Sequence, residues 1–130
     1  MKPSVLIIED NEQNMYMETY LIENSGYRVF QAFNGIDGIS KARETKPDII
    51  LLDIQLPEMN GYEIAMELKK IEELINTPII AVTSYAMLGD KEKALAAGAI
   101  GYIEKPIDPE TFISQMEAFI PHNFKNGDKS

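Results

Sequence analysis

The feature that most constrains this chain is an alternation. Short, continuous apolar runs (Val5-Leu6-Ile7-Ile8, Ile49-Ile50-Leu51-Leu52, Ile79-Ile80-Ala81-Val82 and the weaker Ile100-Gly101-Tyr102-Ile103) are separated by longer segments of helical period. Runs that do not alternate apolar with polar describe strands covered on both faces, as in a parallel sheet. Tyr27 to Ala32 is more mixed and is expected at a sheet edge. The intervening segments are expected to be helices. The first, 11–25, closes at Gly26, a natural residue just past a C-cap. The second, 36–45, ends ahead of Lys46-Pro47, and the third, 61–71, places Ile64, Leu68 and Ile71 on one face. The fourth, 90–97, closes at Gly98. In the last, Asp108 is expected as N-cap with Pro109 in the first turn, and Phe112, Ile113, Met116, Phe119 and Ile120 form one apolar stripe. Five strands and five helices in strict repetition imply an α/β fold, a five-stranded parallel sheet with helices on both faces and right-handed crossovers.

With 130 residues, 45% hydrophobic and 25% charged, the chain has material for one core. One domain is expected over 1–120, followed by a flexible polar tail over 121–130 that contains the lone histidine, His122. No apolar run approaches the ~20 residues of a membrane span. Nothing at the start resembles a signal peptide, so a cytoplasmic chain without membrane association is expected. The absence of cysteine excludes thiolate metal sites and thiol catalysis. A net charge of −9 and a pI near 4.5 argue against direct nucleic-acid binding, because phosphate repels an acidic surface.

The chemistry lies just after the apolar runs. Glu9 and Asp10 follow the first, Asp53 the second, Thr83 and Ser84 the third, and Glu104 and Lys105 the fourth. In an open parallel sheet these ends share one edge, where ligands bind at the point of strand-order reversal. For the order 2-1-3-4-5 the first and third strands are neighbours. Asp10 and Asp53 then face each other across one strand spacing of ~4.8 Å. Three carboxylates so close repel one another unless a proton or a cation sits among them. An all-oxygen set favours a hard ion such as Mg²⁺. Lys105 and Thr83, arriving from the other side, complete a cradle for a phosphoryl group. Among the acids, Asp53 has the best claim to be the nucleophile that forms an aspartyl phosphate.

Five segments in order, each at a strand end, carry a resemblance. They are Ile8-Glu9-Asp10-Asn11, Leu51-Leu52-Asp53-Ile54-Gln55-Leu56-Pro57, Asn60-Gly61, Ala81-Val82-Thr83-Ser84 and Tyr102-Ile103-Glu104-Lys105-Pro106. Over Val5 to Ile120 the chain resembles the receiver domain of bacterial two-component response regulators. Its opening Asp10-Asn11-Glu12-Gln13-Asn14-Met15 looks like single-domain regulators of the DivK type, and like receivers attached to hybrid kinases. The resemblance implies that Asp53 accepts a phosphoryl group from a histidine kinase or histidine phosphotransfer protein. It implies that Glu9, Asp10, Asp53 and the Gln55 backbone carbonyl hold Mg²⁺. Thr83 would then bond a phosphoryl oxygen and Lys105 another, with Tyr102 turning inward as Thr83 moves. A cis Lys105-Pro106 bond is also implied. Output would be contact with a downstream protein target.

Other readings weigh against this one. Asp53 or the Glu9-Asp10 pair, each alone, reads as a turn residue, and Tyr102 alone as strand packing. Met87 and Leu88 divide evenly between core and partner contact, and Gln55 and Tyr85 flank the site where they would govern water access. An aspartate-nucleophile phosphatase needs a second acid two residues after the nucleophile, where this chain has Gln55. A nucleotide or flavin site needs a glycine-rich loop after the first strand, where this chain has Glu9-Asp10-Asn11-Glu12. A degenerate receiver would lack part of the set. The expectation is therefore a phosphoacceptor signalling chain rather than an enzyme with turnover. It is expected to stand alone, the alternative being a receiver cut from a hybrid kinase.

Overall fold

A computed structural model describes residues 2–56, 60–84 and 90–120. Pro57, Tyr85, Met87, Leu88, His122 and the 121–130 tail lie outside these residues. The elements run β1 (Ser4–Ile8), α1 (Glu12–Asn24), β2 (Arg28–Ala32), α2 (Gly35–Thr45), β3 (Ile49–Asp53), α3 (Gly61–Lys69), a 3₁₀ turn (Glu72–Leu74), β4 (Ile79–Thr83), α4 (Asp90–Ala96), β5 (Gly101–Glu104) and α5 (Phe112–Glu117). The strands form one parallel sheet in the order β2-β1-β3-β4-β5, as expected, with β2 at an edge. No helix among the described residues is long and apolar enough to cross a membrane.

Every residue of β1, β3 and β4 is buried, because helices cover both faces. The twofold period of a strand divides these residues between two apolar layers. Leu6, Ile8, Ile50, Leu52, Ile79 and Ala81 pack with Ala42, Ile64, Leu68 and Ala94 of α2, α3 and α4. Val5, Ile7, Ile49, Leu51, Ile80, Val82 and Ile103 pack with Met15 and Ile22 of α1 and Phe112 and Met116 of α5. Continued to the strand ends, that parity puts Glu9, Asp53 and Lys105 on the α1/α5 side. It puts Thr83 and Tyr102 on the other.

The helix starts follow local chemistry. Asn11, Asn34 and Asn60 each accept the amide of the residue three positions on, at 2.8, 2.8 and 3.0 Å. Gly26 and Gly98 close α1 and α4 with φ of 97° and 113°.

Several boundaries differ from expectation, most by one residue, and three of them bear on local chemistry. Helix α3 stops at Lys69 rather than Ile71. The Lys69 ammonium donates to the carbonyls of Ile75 (3.1 Å) and Thr77 (2.7 Å), which favours a folded-back turn over a continued helix. Helix α5 begins at Phe112, three residues late. Asp108 Oδ1 accepts the Glu110 amide at 3.0 Å, and its carbonyl accepts those of Thr111 (3.1 Å) and Phe112 (2.9 Å). Asp108 thus organises an entry turn rather than capping regular helix. Strand β5 is shifted by one residue, and Ile100 is left exposed.

Candidate functional site

The carboxyl edge of the sheet collects the polar side chains. Glu9 directly follows β1, and its amide still bonds Ala32 O at 3.0 Å, so the strand's parity carries through it. Glu9 Oε2 accepts the Asn11 amide at 3.1 Å, which turns the side chain back over the strand end. Asp53 is the last residue of β3, and its Oδ1 accepts the Gln55 amide at 2.9 Å. Thr83 ends β4, and its carbonyl accepts the Lys105 amide at 2.7 Å. The Lys105-Pro106 peptide is cis.

These tethers bring four expected residues together. Glu9, Asp10 and Asp53 each offer a carboxylate oxygen, all within 4.8 Å of one another. Glu9 and Asp53 are buried and Asp10 is exposed, so the cluster has a buried floor and an open side. Lys105 Nζ lies 2.9 Å from Glu9 Oε1 and 3.3 Å from Asp53 Oδ2. The Glu9 contact is an ion pair rather than a well-directed hydrogen bond. Burial would lower the Lys105 pKa, but the Glu9 contact and the Asp53 charge outweigh it and raise the pKa. Burial first, and the Asp53 charge second, push the Glu9 carboxyl up. The donors fit a hard divalent cation: all are oxygen, they converge, and the exposed side admits water.

Thr83 is buried at the same edge. Tyr102 is half-buried and packs against the α2/α3/α4 layer. In register it neighbours Ala81, on the sheet face that Thr83 shares. Gln55 reaches across, its Oε1 accepting the Ser84 amide at 3.2 Å, so the loops after β3 and β4 are joined.

One acid at the site was not among the sequence expectations. Glu18 of α1 is 1% exposed, on the buried face of that helix, and feels the Glu9 charge. Burial first, then the Glu9 charge, push its carboxyl up to about 8. The signal lay in the helical period: Met15, Glu18 and Ile22 occupy one stripe, so an acid stands where the pattern calls for an apolar residue.

The comparisons with known proteins agree with this geometry. The family described as response regulator receiver domain matches residues 5–117. The chain is 46% identical over 120 residues to the polar-differentiation response regulator DivK of Brucella anthropi, covering 92% of this chain and 98% of that one. Among solved structures, chemotaxis protein CheY4 of Vibrio cholerae superposes with a TM-score of 0.89 at 27% identity, over 92% of this chain and 100% of its own. The receiver domain of the Pseudomonas aeruginosa sensor histidine kinase PA1611 gives a TM-score of 0.83 at 31% identity, over 92% of this chain and 98% of its own. That structure has a magnesium ion coordinated in its active-site cleft. A parallel sheet in this order, an acidic edge faced by a lysine, and likeness to receivers over almost the whole length together assign the chain: it belongs to the response regulator receiver domain family.

Proposed function

We propose that this chain accepts a phosphoryl group on Asp53 in a Mg²⁺-dependent phosphorelay and signals by contact with another protein. The observation that carries the reading is the convergence of Glu9, Asp10 and Asp53 on one point, with Lys105 Nζ against two of them. Glu9, Asp10, Asp53 and the Gln55 carbonyl would hold the ion. The Mg²⁺ found in the PA1611 receiver supports that assignment. When bound, the ion offsets the repulsion between an anionic attacker and an anionic donor.

The chain's own residues supply position and charge. Asp53 is held at Oδ1 by the Gln55 amide, which fixes its carboxylate for in-line attack. The attacking oxygen forms a bond to phosphorus as the donor's bond to phosphorus breaks. The leaving group, a histidine imidazole or acetate, departs with that electron pair. Lys105, facing Asp53, would take one phosphoryl oxygen as a charge-assisted hydrogen bond. Thr83 would donate to another, and Tyr102, on the same sheet face, would follow it inward. Phosphorylation then biases a two-state element. The donor would be a histidine kinase or histidine phosphotransfer protein. In this reading the chain acts in the cytoplasm as a single-domain regulator with residues 1–120 as the receiver, and its match over 98% of the length of DivK supports the single-domain part. Asp53 would hand on one phosphoryl group rather than turn over phosphomonoesters. Residue 55 carries an amide, which cannot protonate a leaving group.

The test is titration with beryllofluoride or acetyl phosphate in Mg²⁺. The expected result is a saturable response abolished by chelator and by Asp53→Ala. A response unchanged in that variant overturns the reading.

A further inference from the structure

Past the end of β3, the Ile54 amide still donates to the Val82 carbonyl of β4 at 3.0 Å. In a parallel ladder the next rung would run from the Ser84 amide to the Ile54 carbonyl. That carbonyl is taken, because it accepts the Gly61 amide at 2.9 Å where α3 begins. The Gln55 side chain supplies the acceptor instead: its Oε1 accepts the Ser84 amide at 3.2 Å. Gln55 is itself fixed to Asp53, since its own amide donates to Asp53 Oδ1 at 2.9 Å. Two bonds therefore lead from the Asp53 carboxylate to the residue after Thr83. On the other side of β4, the Thr83 carbonyl accepts the Lys105 amide at 2.7 Å.

We propose that Gln55 is a positioning residue for Thr83, its side-chain oxygen standing in for the backbone rung so that the Thr83 hydroxyl keeps a fixed offset from Asp53. This rests on the phosphoacceptor reading above, in which Thr83 donates to an oxygen of the group on Asp53. A donor contributes its full hydrogen bond only where distance and angle are already met, and a small misplacement forfeits much of it. Without the Gln55 oxygen, Thr83 is the last residue of β4 with no bond from its C-terminal neighbour back to the β3 side. Ser84 is exposed, so water can then bond its amide and the fold loses little. What is lost is the offset between the hydroxyl and Asp53.

The test is a double-mutant cycle on the full chain, read as beryllofluoride affinity in Mg²⁺, for wild type, Gln55→Met, Thr83→Ala and the two together. Met keeps the length without an acceptor, and the Gln55 backbone carbonyl is kept in every variant. Gln55→Met is expected to bind about fivefold more weakly, as for one ordinary hydrogen bond. In the Thr83→Ala background the same substitution is expected to change affinity by less than about twofold, because the group it positions is gone. A role in packing or in water access would weaken both backgrounds alike. Amide hydrogen exchange in chelator reads the rung itself, and Ser84 is expected to exchange about tenfold faster in Gln55→Met. Wild-type affinity in Gln55→Met overturns the proposal, as does an equal loss in both backgrounds or a wild-type exchange rate at Ser84. Gln55→Ala repeats the cycle with a shorter side chain, and thermal unfolding reports which variants are folded. Failure of both Gln55 variants to fold places the side chain in folding rather than in positioning and overturns the proposal. A wild-type chain that binds no beryllofluoride, or binds it no better than Asp53→Ala, overturns the phosphoacceptor reading and the proposal with it.

Discussion

Lys105 Nζ stands 3.3 Å from Asp53 Oδ2, although the strands that lead to these residues, β5 and β3, are separated by β4. The lysine therefore spans the edge of the sheet, and in the same conformation it meets Glu9 beside β1. One cation offsets two buried carboxylates. Lys105→Met leaves both without a counter-charge, and removing one partner of a buried pair costs about 3 kcal/mol. The urea midpoint in chelator is expected to fall, and Mg²⁺ is expected to restore much of the loss by taking the place of the missing charge. A variant as stable as the parent in chelator would show that Lys105 does not bear this role.

Gly61 marks a close approach of α3 to the phosphoacceptor strand. A Cβ there would lie 2.5 Å from Ile54 Cα and 2.9 Å from the Asp53 carbonyl, both backbone atoms that cannot swing aside. Gly61→Ala is expected to lower stability by about 1–3 kcal/mol and to slow phosphoryl uptake as the Asp53 backbone shifts. Thermal unfolding and acetyl phosphate uptake read the two effects. An unchanged melting temperature would contradict the contact.

Glu18 also predicts a pH dependence. Burial and the Glu9 charge raise its carboxyl from 4.5 to about 8. Between those values the folded chain keeps a proton that the unfolded chain has released, so stability falls as pH rises. The penalty is absent below about 4.5 and complete above about 8. In chelator, the wild-type melting temperature is expected to drop across this window more steeply than that of Glu18→Gln, which stays neutral throughout. Parallel profiles would refute the assignment.

Thr83 and Tyr102 share one face of the sheet, so the proposed switch can be separated from the chemistry. Thr83→Ala is expected to accept phosphoryl groups while losing the NMR shift change at Tyr102 that accompanies beryllofluoride in wild type. If Thr83→Ala blocks uptake as fully as loss of Asp53, Thr83 belongs to acceptance rather than to switching.

Much of the fold was legible because the buried strands leave an unambiguous trace: Val5–Ile8 and Ile49–Leu52 are apolar at every position, which only two-sided burial requires. The acids and the lysine were legible because each directly follows such a run, so strand order alone brings them together. Contacts made between loops left no such trace. Nothing in the spacing of Gln55 and Ser84 reveals that a side-chain amide oxygen accepts a backbone amide across two strand ends. The start of α5 was misplaced because Asp108-Pro109 satisfies the rules for a helix start and for a turn equally well, and only the observed bonds decide. Glu18 left a signal, an acid on the Met15–Ile22 stripe, but without the fold an acid in a helix reads as solvated surface.

The central claim is that Asp53 carries the phosphoryl group. Its most direct test is incubation with acetyl phosphate and Mg²⁺, reduction of any acyl phosphate with borohydride, and peptide mapping. Conversion of residue 53 alone, absent in chelator and in Asp53→Asn, is the predicted result. A label on any other residue, or a label that persists undiminished in Asp53→Asn, would contradict it.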